Sequence, residues 1–160
     1  MRLPMLLGFC AALLLGAAAP AAAAGFGWPL TPRPIVVTPF DPPARDWLAG
    51  HRGVDLSAAA GQPVLAAGDG VVAFAGEVAG KPVVSVDHRG GLRTTYEPVL
   101  ASVRVGQRVA RGAGLGTLAA GHPGCPGSCL HWGVRRGRDV YLDPLALLRP
   151  GPVRLKPLHS

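Results

Sequence analysis

Amphipathic helix is what this chain lacks first. After residue 24 no segment repeats its apolar side chains at the helical period over a useful length, which leaves an all-β class. Lysine is nearly missing: Lys81 and Lys156 are the two lysines among 16 cationic residues. That bias toward arginine, with abundant alanine and glycine, points to a bacterium with a GC-rich genome. Aromatic residues are few, at 6%, and the basic residues are scattered without any recognised nucleic-acid module, so nucleic acid is excluded as the partner. No apolar run is long enough and suitably flanked for a spanning helix, which excludes stable membrane insertion. Cysteine is scarce too.

What is present divides the chain into four stretches. Arg2, the apolar run through Leu15 and the small side chains Ala22-Ala23-Ala24 have the order of a secretory signal, so residues 1–24 are read as a leader. Its removal takes the formal charge from +7 to about +6, since Arg2 is the charged residue lost. An exported basic domain is drawn to anionic polymers, including the carboxylates and phosphates of a bacterial wall. Residues 25–49 are rich in proline, which rules out helix and predicts an extended arm, with Trp28-Pro29-Leu30 as the anchor that docks it by burying the indole. Residues 50–149 suit one small domain, and residues 150–160 form a basic, proline-containing tail.

Within the domain, Val64–Ala67, Val71–Ala75, Val83–Val86 and Leu92–Tyr96 read as strands, with turns at Gly68-Asp69-Gly70 and Arg89-Gly90-Gly91. Asp143 and Pro144 predict one helical turn, the aspartate capping and the proline at the first position. Gly61-Gln62-Pro63-Val64 is echoed by Gly106-Gln107-Arg108-Val109, a hint of two similar half-motifs as found in biotin or lipoyl carriers and in certain zinc peptidases.

His51, Asp55 and His131 are the residues with chemistry to offer. Two imidazoles and one carboxylate can hold zinc with a fourth position left open, the ligand count of a hydrolytic site. Gly53 and Val54 argue against helix between His51 and Asp55, so a loop running into a strand must pair them. Cys129 and His131, two apart on a strand, share one face while Leu130 and Trp132 pack the other. Taken alone, the trio fits a solvated His–Asp hydrogen bond as well. His88 reads as a turn residue, and His159 belongs to the tail. Cys125 and Cys129, an even pair with Pro126-Gly127 between them, predict a disulfide outside the cytoplasm.

The ordered set His51-Arg52-Gly53-Val54-Asp55-Leu56, Gly61 to Val72, Val105 to Val109 and Leu130-His131-Trp132 resembles the lysostaphin/LytM-like zinc endopeptidases that cut peptidoglycan peptides. The resemblance covers Gly50 to Leu148. It implies a duplicated, barrel-sandwich-like β-sheet core, a Zn²⁺ held by His51, Asp55 and His131, and export to the cell wall, with peptidoglycan or another anionic wall polymer as partner. Two positions depart from the family pattern. Where the family reads Tyr-x-His-Leu this chain has Tyr96-Glu97-Pro98-Val99, and where it reads His-x-His the first histidine is Cys129. Losing an oxyanion donor costs about 10²–10³ in rate, and losing a general acid–base group about 10²–10⁴. Glu97 is the candidate replacement base, Tyr96 a candidate oxyanion donor, and His122 a third option if its loop folds over the metal. Cys129 has three possible roles: the disulfide, a fourth zinc ligand as thiolate, or an inert buried side chain. Two functions fit: an exported zinc metalloendopeptidase, or a catalytically silent zinc-binding wall module that binds peptidoglycan or regulates another wall hydrolase. A swinging-arm carrier is disfavoured because Lys81 sits in Gly-Lys-Pro without a neighbouring methionine.

Overall fold

Short β-branched runs punctuated by glycine at positive φ build eleven strands and no α-helix among the described residues. The computed structural model describes residues 25–149 apart from 46, 122, 123 and 126. The leader, the tail and His122 therefore lie outside the described residues. The strands are β1 (Val36–Thr38), β2 (Gly53–Ala58), β3 (Pro63–Leu65), β4 (Gly70–Val78), β5 (Lys81–Asp87), β6 (Leu92–Glu97), β7 (Val99–Ala101), β8 (Arg108–Val109), β9 (Gly114–Leu118), β10 (Ser128–Arg136) and β11 (Val140–Leu142). An eight-stranded antiparallel sheet runs β1-β2-β10-β6-β5-β4-β8, with β11 added to one end of β10. A second sheet of three strands runs β3-β9-β7.

The echoed Gly-Gln segments are matching pieces of structure. Gly61 and Gly106 take φ of +82° and +84°, the left-handed region glycine enters without steric cost. In the first turn the Gln62 Oε1 accepts from the Ala59 N–H at 3.0 Å; in the second, Gln107 Oε1 accepts from Arg104 N–H at 3.2 Å. Each turn then exchanges two backbone hydrogen bonds with a strand: Gly61 and Gln62 with Leu118, Gly106 and Gln107 with Val72. Asp143 caps the predicted turn by accepting from Leu145 N–H at 2.9 Å, ahead of a 3₁₀ turn at Pro144–Leu148.

Alternation along β2, β10 and β6 sorts two chemistries onto two faces. Val54, Leu56, Leu130, Trp132 and Tyr96 point into the core between the sheets and are all fully buried. Asp55, His131 and Glu97 occupy the opposite face. The proline-rich arm runs along this scaffold, with β1 pairing to β2 and Leu65 N–H donating to Pro29 O at 2.8 Å. The Trp28–Leu30 segment docks on the core, with the burial divided differently from the expectation. Leu30 is the buried side chain, whereas Trp28 is only half-buried and carries the Arg33 guanidinium 5.0 Å above its ring.

His88 is not a mere turn residue. It is buried against Phe26, its Nδ1–H donates to Asp69 O at 2.8 Å, and its Nε2 accepts from Thr94 Oγ1 at 2.7 Å. Thr94 Oγ1 in turn lies 2.9 Å from the Tyr96 hydroxyl. Burial lowers the His88 pKa from 6.5, more than the Asp69 carbonyl and the nearby carboxylates raise it. The unfolded chain therefore takes up this proton first as the solution is acidified. The stabilising contribution is complete above pH 6.5 and is lost as pH falls through the lower folded value. Melting temperature measured from pH 7 to 5 should fall, with a flatter profile in His88→Gln; parallel profiles would remove His88 from the explanation.

Candidate metal centre

Three donors from separate places in the chain meet on the polar face of the large sheet. Asp55 on β2 and His131 on β10 are direct cross-strand partners, which forces their side chains to the same side. His51 precedes β2, and its backbone is clamped to Asp41 by reciprocal hydrogen bonds of 2.7 and 3.0 Å. The resulting distances are His51 Nε2 to Asp55 Oδ1 3.0 Å, His131 Nδ1 to Asp55 Oδ1 3.0 Å, and His51 Nε2 to His131 Nδ1 3.1 Å.

The donor set suits a divalent cation. The arm carbonyl of Pro39 accepts from His51 Nδ1–H at 2.7 Å, so a neutral His51 turns an unprotonated Nε2 toward the cluster. Such an outer partner is what fixes the tautomer of a ligating histidine. At most one proton, on His131 Nδ1, is then shared among the three atoms, while a cation would satisfy all three lone pairs together. Zinc bound tetrahedrally at about 2.0–2.1 Å sets its donors about 3.3–3.4 Å apart, close to the spacing seen. Asp55 is buried, and the two histidines are partly exposed, so a cation held here would keep one side toward solvent.

Gly53 makes room for this geometry. A Cβ at that position would lie 2.6 Å from His131 Nε2, 2.7 Å from its Cε1 and 2.6 Å from the Trp132 carbonyl. Gly53→Ala should displace the imidazole, with about 1–3 kcal/mol of overpacking cost. Calorimetric zinc titration should show affinity reduced at least tenfold; unchanged affinity would mean that the ring has space to spare.

The other sequence candidates separate cleanly. Glu97 on β6 is the cross-strand partner of His131 and lines the same groove, so it faces the cluster. It lies in a central strand and its Oε1 accepts from Lys81 Nζ at 2.7 Å; it is not a solvated edge carboxylate. Tyr96 is a correction. It points to the opposite face, fully buried, with its hydroxyl accepting from Ala67 N–H at 2.9 Å, and burial pushes its pKa up to about 12. It cannot reach an oxyanion beside His131. Pro98 is buried, and Cys129 is buried and bonded to Cys125, so its sulfur is engaged in a disulfide, not presented as a thiolate ligand.

Residues that sequence reasoning passed over complete the surroundings. A groove beside His131 is lined by Arg52, Tyr141 and Arg135 on one side and Glu97 on the other, above Gly133 and Thr95. Arg135 was accessible from alternation alone, being four residues beyond His131 on the same strand.

The antiparallel β scaffold thus presents two imidazoles and a carboxylate beside a polar groove, the donor count of a hydrolytic metal site. Residues 49–144 match Peptidase family M23, and the chain belongs to that family. The uncharacterized protein Rv2891 of Mycobacterium tuberculosis and Mb2915 of Mycobacterium bovis are each 56% identical over 155 residues, 94% of this chain. The chain spans 62% of the length of those relatives. Among solved structures, Csd3 of Helicobacter pylori superposes with a TM-score of 0.64 at 28% identity, over 84% of this chain and 38% of that one. A zinc-containing peptidase from Vibrio cholerae gives 0.59 at 26% identity, over 70% and 37%. The catalytic domain of lysostaphin from Staphylococcus simulans, at 22% identity and a TM-score of 0.63 over 72% and 92%, shares the fold.

Proposed function

We propose that this protein is an exported zinc metalloendopeptidase that hydrolyses peptide bonds in bacterial peptidoglycan. The observation that carries the reading is the convergence of His51, Asp55 and His131 donors to within 3.1 Å in a family M23 chain. The leader expected over residues 1–24 and the Cys125–Cys129 disulfide support export.

Zinc bound by the three donors would polarise the scissile carbonyl and lower the pKa of a water to about 7. Glu97, facing the same groove, takes a proton as water adds to the carbonyl carbon and returns it to the amine nitrogen as the C–N bond breaks. Lys81 holds one oxygen of that carboxylate and so limits its rotation. Zinc-loaded protein incubated with purified wall fragments should release new amines detectable by mass spectrometry. Glu97→Gln should keep its zinc and lose about 10²–10⁴ in rate; full activity would reject Glu97 as the acid–base group.

A second reading is supported by Pro98 and Cys129, which stand where the family pattern has histidines. It makes the chain a zinc-binding wall module that holds peptidoglycan or adjusts another hydrolase. Stoichiometric zinc without any new amines would select it.

A further inference from the structure

We propose that the groove beside His131 is a carboxylate-recognition subsite, and that Arg52 and Arg135 select an anionic peptide over a neutral one. This inference rests on the peptidase-fold reading of the site and names its substrate class. His131, Gly133 and Arg135 follow one another on the exposed face of β10, without a bulge between them. Four residues of strand place the Arg135 Cα about 13 Å from that of His131, the span of about five residues of extended peptide measured from the first to the last Cα. Gly133 contributes no side chain between the metal donors and the guanidinium; it is buried, and a Cβ there would sit in van der Waals contact with Arg52 O, His131 Nε2 and Thr95 Cβ at 3.5–3.9 Å, so glycine keeps the floor low.

Both arginines are held in place by the protein. Arg135 Nη1 donates to the carbonyls of Gly137 at 3.1 Å and Arg138 at 2.9 Å, which fixes one corner of the guanidinium. The Arg52 guanidinium lies 5.4 Å from the Tyr141 ring centroid, and Tyr141 on β11 is the cross-strand partner of Arg135. The ring thus holds the Arg52 guanidinium beside the strand pair that carries Arg135. Guanidinium forks match carboxylates in planar geometry, and pre-positioning reduces the entropy lost on binding. Glu97, with Lys81 bound to it, lies across the floor. That ion pair is neutral as a unit, so the net positive charge of the groove lies with Arg52 and Arg135, which draw a peptide carboxylate. The groove therefore orients a substrate that carries an acidic group within about four residues of the bond presented to the metal.

The test uses the full chain loaded with zinc, and two probes: an acetylated, amidated alanyl-glutamyl-alanine peptide and its glutaminyl isostere. Titration calorimetry should find the glutamyl peptide bound at least about tenfold more tightly, the scale of one net charge-assisted hydrogen bond. The preference should disappear in Arg135→Gln and weaken in Arg52→Gln, with the zinc content of each variant unchanged. Arg135→Lys, which keeps the charge and loses the fork, should retain part of it. Equal affinity for the two peptides, or a preference that survives in both glutamine variants, overturns the proposal. Failure of the peptidase reading is seen separately, as absent zinc or absent amide cleavage with the peptide preference intact.

Discussion

His131→Ala should abolish stoichiometric zinc binding and any amide hydrolysis while leaving the sheet assembled. His131 stands between Asp55 and Glu97 on three adjacent strands, and its Nδ1 is within 3.1 Å of both other donors. Removing it leaves two ligands, and the loss should exceed the about 10–100-fold cost of losing an outer partner. The fold tolerates the change because the ring lies on the polar face, its side chain 20% exposed, and contributes nothing to the core. Thermal unfolding provides a readout independent of turnover. A ligand at about 1,000 times its dissociation constant stabilises the native state by about 4 kcal/mol. Added zinc should therefore raise the melting temperature of the natural chain and leave that of His131→Ala where it was. An equal rise in both would place the metal elsewhere.

Trp132→Ala should do the reverse, damaging the fold and the site through the fold. Trp132 is fully buried, pairs across the sheet with Val54 and Tyr96, and belongs to the central apolar cluster. Deleting a buried tryptophan side chain costs about 3–5 kcal/mol, a large share of the 5–15 kcal/mol that holds a typical domain together. A fall in melting temperature on the order of 10–20 °C is expected for a domain of this size. Because Trp132 adjoins His131, zinc affinity should fall only under conditions where the variant has begun to unfold. A stable Trp132→Ala protein with weakened zinc binding would instead make the indole a direct support of the metal donors.

These two neighbours show how much of the molecule was legible beforehand. Leu130-His131-Trp132 alternates, so its division into core and polar sides follows from the strand period alone. The Gly-Gln echo was also legible, since each glycine sits where the backbone needs positive φ and each glutamine folds back on the residue three before it. Glu97 and Tyr96 were harder. Adjacent strand residues face opposite ways, and which of them faces His131 depends on the register of β6 against β10, a pairing between segments more than thirty residues apart. How the arm's Trp28–Leu30 anchor divides its burial was harder for a similar reason. Trp28 offers more apolar area than Leu30, but Leu30 is fully buried in the core, whereas Trp28 packs against the core only in part and also carries Arg33. His88 carried no local sign of burial, because Asp69, Thr94 and Phe26 reach it only through the folded sheet. The Arg52–Tyr141–Arg135 grouping joins a loop before β2 to the last hairpin, and no short motif encodes that contact.

X-ray absorption at the zinc edge of the purified full chain tests the open, sulfur-free site most directly. The account predicts one zinc per chain with nitrogen and oxygen neighbours at about 2.0–2.2 Å and no sulfur shell. A sulfur shell at about 2.3 Å, or zinc retained at full occupancy in the double variant of Asp55→Asn and His131→Ala, would contradict it.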